Sequence, residues 1–177
     1  MNIKVRLANK KDLKDYTNLL QITYEFSYVN PEIGLTRECF SSQVFNTSDT
    51  QKYLKTKLIN SPTQKTWLAF NDKKLIGSAT CKIIDENKAE FSGYYVLPKY
   101  QHQGIGKMLY QKVLNFSNYR DLVLVIYAHN TKTIKIYKKW GWQIDTSRGD
   151  SGYIVGRWPE WPDNVFVKSV YLIFKQR

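Results

Sequence analysis

An apolar stretch ending at Tyr94, Tyr95 and Val96 passes through a short polar loop into Gln101-His102-Gln103-Gly104-Ile105-Gly106-Lys107, where an amphipathic helix opens. A strand joined to a helix by such a turn builds an anion site out of backbone. The first N–H groups of a helix lack internal acceptors, and the helix dipole puts partial positive charge beside them. A phosphate docks there when no side chain blocks its approach. Gly104 and Gly106 supply no blocking Cβ, and Lys107 adds a formal charge. Two common phosphate motifs are excluded. A Walker loop needs Gly at Gln101 and Ser or Thr at Met108, and a dinucleotide fingerprint needs a third Gly at Leu109. A bare Gly-x-Gly also serves as an ordinary helix cap, so the turn needs a second signal.

At 177 residues the chain is read as a single domain, 1–177, large enough for a substantial core. A 42% hydrophobic content with abundant aromatics argues against disorder. The longest apolar run, Leu122 to Ala128, is too short to span a membrane, and Met1 to Leu7 reads as a mixed strand without a signal-peptide core. Cys39 and Cys81 read as buried small hydrophobes in a reducing compartment, so the expected location is cytoplasmic. No Cys/His cluster is present, and no metal is expected. The net charge is +12, and Lys99 to Lys139 holds eight Lys/Arg against one acid, Asp121. The basic excess therefore shares a segment with the glycine turn. It suits an anionic ligand, and nucleic acid competes for that reading.

Periodicity predicts the element order βααβββαβαββ. Asn2–Leu7 alternates as a strand, and Lys10–Phe26 reads as a helix with Leu13, Tyr16, Leu19, Leu20 and Tyr24 on its apolar face. A second helical region has two pieces, near Thr36–Phe45 and from Ser48 to about Ile59, with Ser48 and Gln51 as a capping box. Thr66–Phe70, Leu75–Ile84 and Lys88–Val96 form a meander. Gly104–Phe116 is a helix with Ile105, Met108, Leu109, Val113 and Phe116 inward. Leu122–Ala128 is apolar on both faces and reads as an interior strand. Thr131–Trp140 is a helix stopped by Gly141, and residues 143 to 177 hold two strands, the last Val165–Lys175. The strand–helix–strand unit in the middle must be a right-handed parallel crossover.

The second signal follows the interior strand. It consists of Asn130 at the strand end, Thr133 three residues later, the pair Ile136–Tyr137, and the stop Trp140–Gly141–Trp142. With Gln101-x-x-Gly104-x-Gly106 upstream in register, the chain resembles the GNAT superfamily of N-acetyltransferases. The resemblance implies a mixed α/β fold: a mostly antiparallel sheet of six to seven strands with a splayed parallel central pair, flanked by four helices. It implies acetyl-CoA as co-substrate. Val96 would hold the pantetheine amides, and the N–H of Tyr94 or Tyr95 would face the thioester carbonyl. Backbone N–H groups of Gln101, His102, Gln103, Gly104, Ile105, Gly106 and Lys107 would hold the diphosphate. Asn130 would contact pantetheine, and the Tyr137 hydroxyl would lie beside the sulfur. A thiolate has a parent pKa of about 8.5 and a phenol about 10, so full proton donation from Tyr137 is near balance.

Many relatives carry a carboxylate at the position matching Ser92, and this chain does not. Glu90 lies on the same face two residues away, as a base acting through water or as an edge-of-sheet charge. The acceptor, a small-molecule, polyamine or peptide amine, would meet Tyr24, Phe26 and Tyr28, with Trp158 and Trp161 as an aromatic wall or a core plug. A basic protein repels polyamines unless Glu25, Glu32 and Asp49 invert the local field. Two other readings stay open: a basic nucleic-acid-binding module, and a CoA-binding relative without turnover. A homodimer is also open.

Overall fold

A computed structural model describes residues 2–176. The strands are β1 (Ile3–Leu7), β2 (Gln64–Asn71), β3 (Lys74–Ile83), β4 (Lys88–Val96), β5 (Asp121–Tyr127), β6 (Gln143–Ile144), β7 (Tyr153–Gly156) and β8 (Val167–Phe174). The helices are α1 (Leu13–Tyr28), α2 (Ser42–Phe45), α3 (Ser48–Lys57), α4 (Ile105–Ser117) and α5 (Thr131–Lys139). All eight strands form one mixed sheet in the order β1-β2-β3-β4-β5-β8-β6, with β7 also paired to β8. The pairing is antiparallel except between β4 and β5.

The sheet has one strand more than expected. β6 pairs with Leu172 and Ile173 of β8, and β7 pairs with Val167 to Val170 on the same edge. Two short strands thus share one long partner, and neither is long enough to show a period of two.

The two faces of the sheet are covered by different helices. A Cβ on Gly77 would lie 3.2 Å from Leu109 of α4, whereas Thr80 sits beside the Tyr16 hydroxyl of α1 at Gly93. Positions 77 and 80 have opposite parity on one strand, so α4 and α1 lie on opposite faces. α4 buries Ile105, Leu109, Val113 and Ser117, a four-residue repeat down one side. Met108, expected inward, is 43% exposed because it falls off that stripe.

The first helices also differ in detail. A single turn at Lys10–Asp12 precedes α1, where Asn9 Oδ1 accepts from Lys11 N–H and Asp12 Oδ2 accepts from Asn9 N–H. α1 then runs to Tyr28, two residues past the expected end. The Thr36–Phe45 piece splits into a single turn at Arg37–Phe40 and α2. The cap of α3 is Thr47, whose hydroxyl accepts from Thr50 N–H at 3.3 Å. Gln51, expected in a capping box, instead donates to Phe45 O and Thr17 Oγ1, tying α3 to α2 and α1.

Candidate functional site

β4 and β5 pair only from Lys88–Asp121 to Glu90–Val123, and then part. The sequence reads Leu122–Ala128 as an interior strand, and β5 is central. Val125 in its middle is nevertheless 51% exposed. The exposure comes from the missing neighbour. Two cavities, of about 620 and 650 Å³, open at this gap and share Tyr28, Phe91, Ser92, Gly93, Tyr95, Leu124, Val125 and Ile126 as lining.

Gly93 is why β4 bends. The register with β3 changes by one between Ser78↔Tyr95 and Thr80↔Ser92, and Gly93 has φ +59°. This is a β-bulge with glycine at its left-handed position. An isolated glycine inside a strand pattern is the sequence signal for it.

The second cavity gathers most of the expected carrier-binding residues. Tyr94, Tyr95, Val96, Gln101, His102, Gly106, Asn130 and Tyr137 all line it. Gln103, Gly104 and Lys107 are exposed on the adjoining turn, and Ile105 is buried in the core. Gly104 sits at φ +81° with nothing within 4 Å of a would-be Cβ, so backbone at the start of α4 is open to approach. The first intrahelical bond runs from Met108 N–H to Gly104 O, leaving the N–H groups of Ile105, Gly106 and Lys107 ahead of the ladder. Gly106 faces something else: its Cβ would meet the Tyr94 hydroxyl. The Gln101 amide donates to Val96 O at 3.1 Å and ties the turn to the end of β4.

Asn130 caps α5, its side-chain oxygen accepting from Thr133 N–H at 3.3 Å. Trp142 N–H returns to Tyr137 O at 3.1 Å, and Gly141 ends the helix at φ +89°. These bonds set Tyr137 on the buried side of α5, 6% exposed, edge-on to Phe91 and against Trp142. Burial raises its phenol well above the ordinary value.

The first cavity lies on the α1 face. Tyr24, Tyr28, Phe45, Tyr53, Tyr95, Tyr127 and Trp158 line it. Burial raises the phenols of Tyr24, Tyr28 and Tyr95, and the Tyr28 and Tyr95 hydroxyls lie 3.2 Å apart. Phe26, expected here, is 63% exposed and lines the second cavity, because it lies two residues off the Tyr16–Leu20–Tyr24–Tyr28 repeat and so on the other side of α1. Trp161 is buried, and its indole donates to Cys39 O at 3.0 Å: it is the plug, and Trp158, stacked on it, is the wall. Glu90 lines the first cavity and pairs with Lys57 at 3.5 Å. It sits on a central strand at the last β4–β5 pair, not at a sheet edge.

Glu160 is absent from the sequence-based candidates. One oxygen of its carboxylate accepts from both Thr47 and Thr50 hydroxyls, at 3.0 and 2.9 Å, and the residue lines the first cavity. Only contacts across 110 residues reveal it. The two cavities consequently differ in charge. The second has no carboxylate in its lining and includes Lys132, whereas the first has Asp49, Glu90 and Glu160 with Lys57 and Arg148.

Among the described residues no group of three or more His, Cys, Asp or Glu could hold a metal ion, and no helix is long and apolar enough to cross a membrane.

A mixed sheet parted at its parallel pair, with a glycine-opened helix at the mouth, defines an acyltransferase architecture. The chain belongs to the acetyltransferase (GNAT) family, whose model matches residues 33–142. Solved structures agree with the fold. The PaiA N-acetyltransferase of Thermoplasma acidophilum, in complex with coenzyme A, has a TM-score of 0.68 at 22% identity, covering 96% of this chain and 99% of that one. A GNAT-family acetyltransferase of Streptococcus pneumoniae has a TM-score of 0.66 at 18% identity, covering 98% of both chains. Arabidopsis thaliana NAA60 in complex with acetyl-CoA has a TM-score of 0.66 at 17% identity, also covering 98% of both. No curated protein matches the chain by sequence.

Proposed function

We propose that the chain acts as one domain that transfers the acetyl group of acetyl-CoA to a primary amine. The observation that carries this reading is the charge contrast across the gap: a cavity without carboxylates meets a carboxylate-bearing one at Phe91–Gly93 and Leu124–Ile126. An anionic carrier suits the former and a cationic amine the latter.

In this reading the N–H groups opening α4 and the Gln101–Lys107 turn hold the diphosphate. Val96 and Asn130 hold pantetheine. Asn130 keeps its amide N–H₂ for the task, because its oxygen is the cap of α5. The amine nitrogen attacks the thioester carbon. A backbone N–H from Tyr94 or Tyr95 stabilises the developing oxyanion, worth a few kcal/mol, about 3 in known cases. The C–S bond then breaks, and the second amine proton leaves the adduct through water to the departing sulfur. Tyr137, with its phenol raised by burial, hydrogen-bonds the departing thiolate rather than surrendering its proton.

The amine must first lose a proton, and Glu90 takes it through water. The Tyr24, Tyr28 and Tyr95 phenols are raised and stay neutral, so they orient rather than deprotonate. On the acceptor side Trp158 and Tyr24 offer aromatic faces and Glu160 a fixed carboxylate, a setting that attracts an ammonium group. This favours a compact amine that stays positively charged away from its reacting nitrogen.

The test is CoA-thiol release from acetyl-CoA across a panel of amines, run beside thermal scans with acetyl-CoA, CoA and an oligonucleotide. Turnover with at least one amine and stabilisation by both CoA forms are expected. A ligand at about 100 times its Kd stabilises by about 2.7 kcal/mol. Stabilisation by the oligonucleotide alone would overturn the reading in favour of a nucleic-acid module. CoA binding without turnover on any amine would leave a sensor.

A further inference from the structure

The bulge in β4 rests on one buried hydroxyl. Opposite Ala79 of β3, β4 carries two residues, Gly93 and Tyr94. A side chain at Gly93 would come within 3.1 Å of Thr80 Oγ1 and Tyr16 Oη, so α1 and β3 close over this position. Ser78 is 0% exposed, and its hydroxyl donates to Gly93 O at 2.6 Å.

That bond orients a whole peptide. The described chain has no cis peptide, and in a planar trans peptide the C=O and N–H point in opposite directions. With the Gly93 oxygen held toward β3, the Tyr94 N–H turns away from β3, toward the space that β5 has left. Tyr95 differs. Leu97 N–H donates to Ile76 O at 2.9 Å, and alternation along the strand puts the Tyr95 N–H on the β3 side too.

We propose that Ser78 is a positioning residue that, by fixing the Gly93 carbonyl, aims the Tyr94 N–H at the carbonyl oxygen of the acetyl thioester. The inference rests on the acetyl-transfer reading above, and it selects Tyr94 over Tyr95. Glycine has no steric preference for one sign of φ, so its own backbone does not fix this peptide and the Ser78 bond does. Without the Ser78 hydroxyl the half-buried Gly93 oxygen loses this partner and the peptide turns to find another. The Tyr94 N–H then leaves its line, while the diphosphate site at α4 stays as it was.

Infrared spectroscopy of acetyl-CoA carrying ¹³C at the thioester carbonyl tests this in wild type, Ser78→Ala and Ser78→Thr. The bound carbonyl band of wild type is expected at lower frequency than in solution, as a hydrogen bond to that oxygen requires. In Ser78→Ala the band returns toward its solution position. kcat falls about 10- to 100-fold, less than the roughly 100- to 1000-fold for outright removal of one aimed donor, because the donor is misaimed and not deleted. The KM and calorimetric Kd for acetyl-CoA stay within about twofold, separating aim from binding. Ser78→Thr keeps the hydroxyl and recovers the band shift and most of kcat. Should the added methyl prevent folding of that variant, the alanine variant decides alone.

A Ser78→Ala protein with the wild-type band and wild-type kcat overturns the inference. So does one whose kcat falls while the band stays shifted, which marks a merely structural role. Wild type that binds acetyl-CoA without any band shift also overturns it. Wild type that binds no acetyl-CoA at all removes the acetyl-transfer reading itself, a distinct result.

Discussion

A Cβ built on Gly106 lies 2.5 Å from the Tyr94 hydroxyl and 3.4 Å from the ring carbon bearing it. The glycine of the phosphate turn and a tyrosine of the β4 bulge therefore occupy each other's space. Gly106 is needed for Tyr94 and, in the proposed reading, for the diphosphate as well, and the two demands separate experimentally.

Gly106→Ala is expected to raise the KM for acetyl-CoA about tenfold or more, because overpacking costs about 1–3 kcal/mol and Tyr94 must move. Adding Tyr94→Phe removes the oxygen and leaves an ordinary 3.4 Å contact. The double variant should recover most of the loss, measured as a double-mutant cycle in KM. Equal losses in the single and double variants would show that the glycine serves ligand access only.

Tyr137→Phe is expected to lower kcat by roughly 10- to 1000-fold with little change in KM for acetyl-CoA. Because burial raises this phenol, it stays protonated through the physiological range. The wild-type pH profile of kcat should show no descending limb from this group below the free-phenol value of about 10. A limb near pH 8 or 9 that disappears in the phenylalanine variant would show the hydroxyl ionising as an acid.

Glu90→Gln is expected to remove or displace the acidic limb of the kcat/KM profile. It also removes the partner of Lys57, so Lys57→Met serves as a control for the loss of the pair alone. An acidic limb unchanged in Glu90→Gln excludes the carboxylate as base.

The Arg6–Asp12 pair contributes to stability against acid. Arg6 donates two hydrogen bonds to Asp12, at 2.8 and 2.6 Å, and Asn9 N–H adds a third. The Arg6 hydrogen bond holds the Asp12 carboxyl below its usual range. A carboxyl lowered on folding stabilises above its unfolded value of about 3.9, and that stability is lost as pH falls through the lower folded value. Asp12→Asn should cost about 1–2 kcal/mol at neutral pH, through the cap and a pair whose arginine is partly solvated. Its urea midpoint should then vary less than that of wild type between about pH 5 and pH 2.

The sequence carries the turn and the α5 signature because both are local. Gly104 and Gly106 sit at the cap and first turn of one helix, and Asn130, Tyr137 and Gly141 span another with its cap and stop. The parallel crossover is legible for the same reason, since Lys88–Val96, the helix and Leu122–Ala128 follow in order. Long-range relations are not. Glu160 reads as a charge in a stiff Trp–Pro run until Thr47 and Thr50 arrive from α3. Phe26 shares a helix with Tyr24 but lines the other cavity, while Tyr28 borders both. Gly93 gives a signal, yet its meaning depends on Ser78 in the neighbouring strand. β6 and β7 are too short for periodicity and exist because β8 offers them a common edge.

Val125 has a consequence for how the molecule keeps its shape. Beyond Glu90 and Val123 the middle of the sheet gives up the inter-strand bonds that hold every other seam. In the proposed reading, a slender ligand lying in that seam and bonding to both margins would do the work of a missing strand. Melting must then expel it, so resistance to heat becomes a property of the protein and its supply of carrier together.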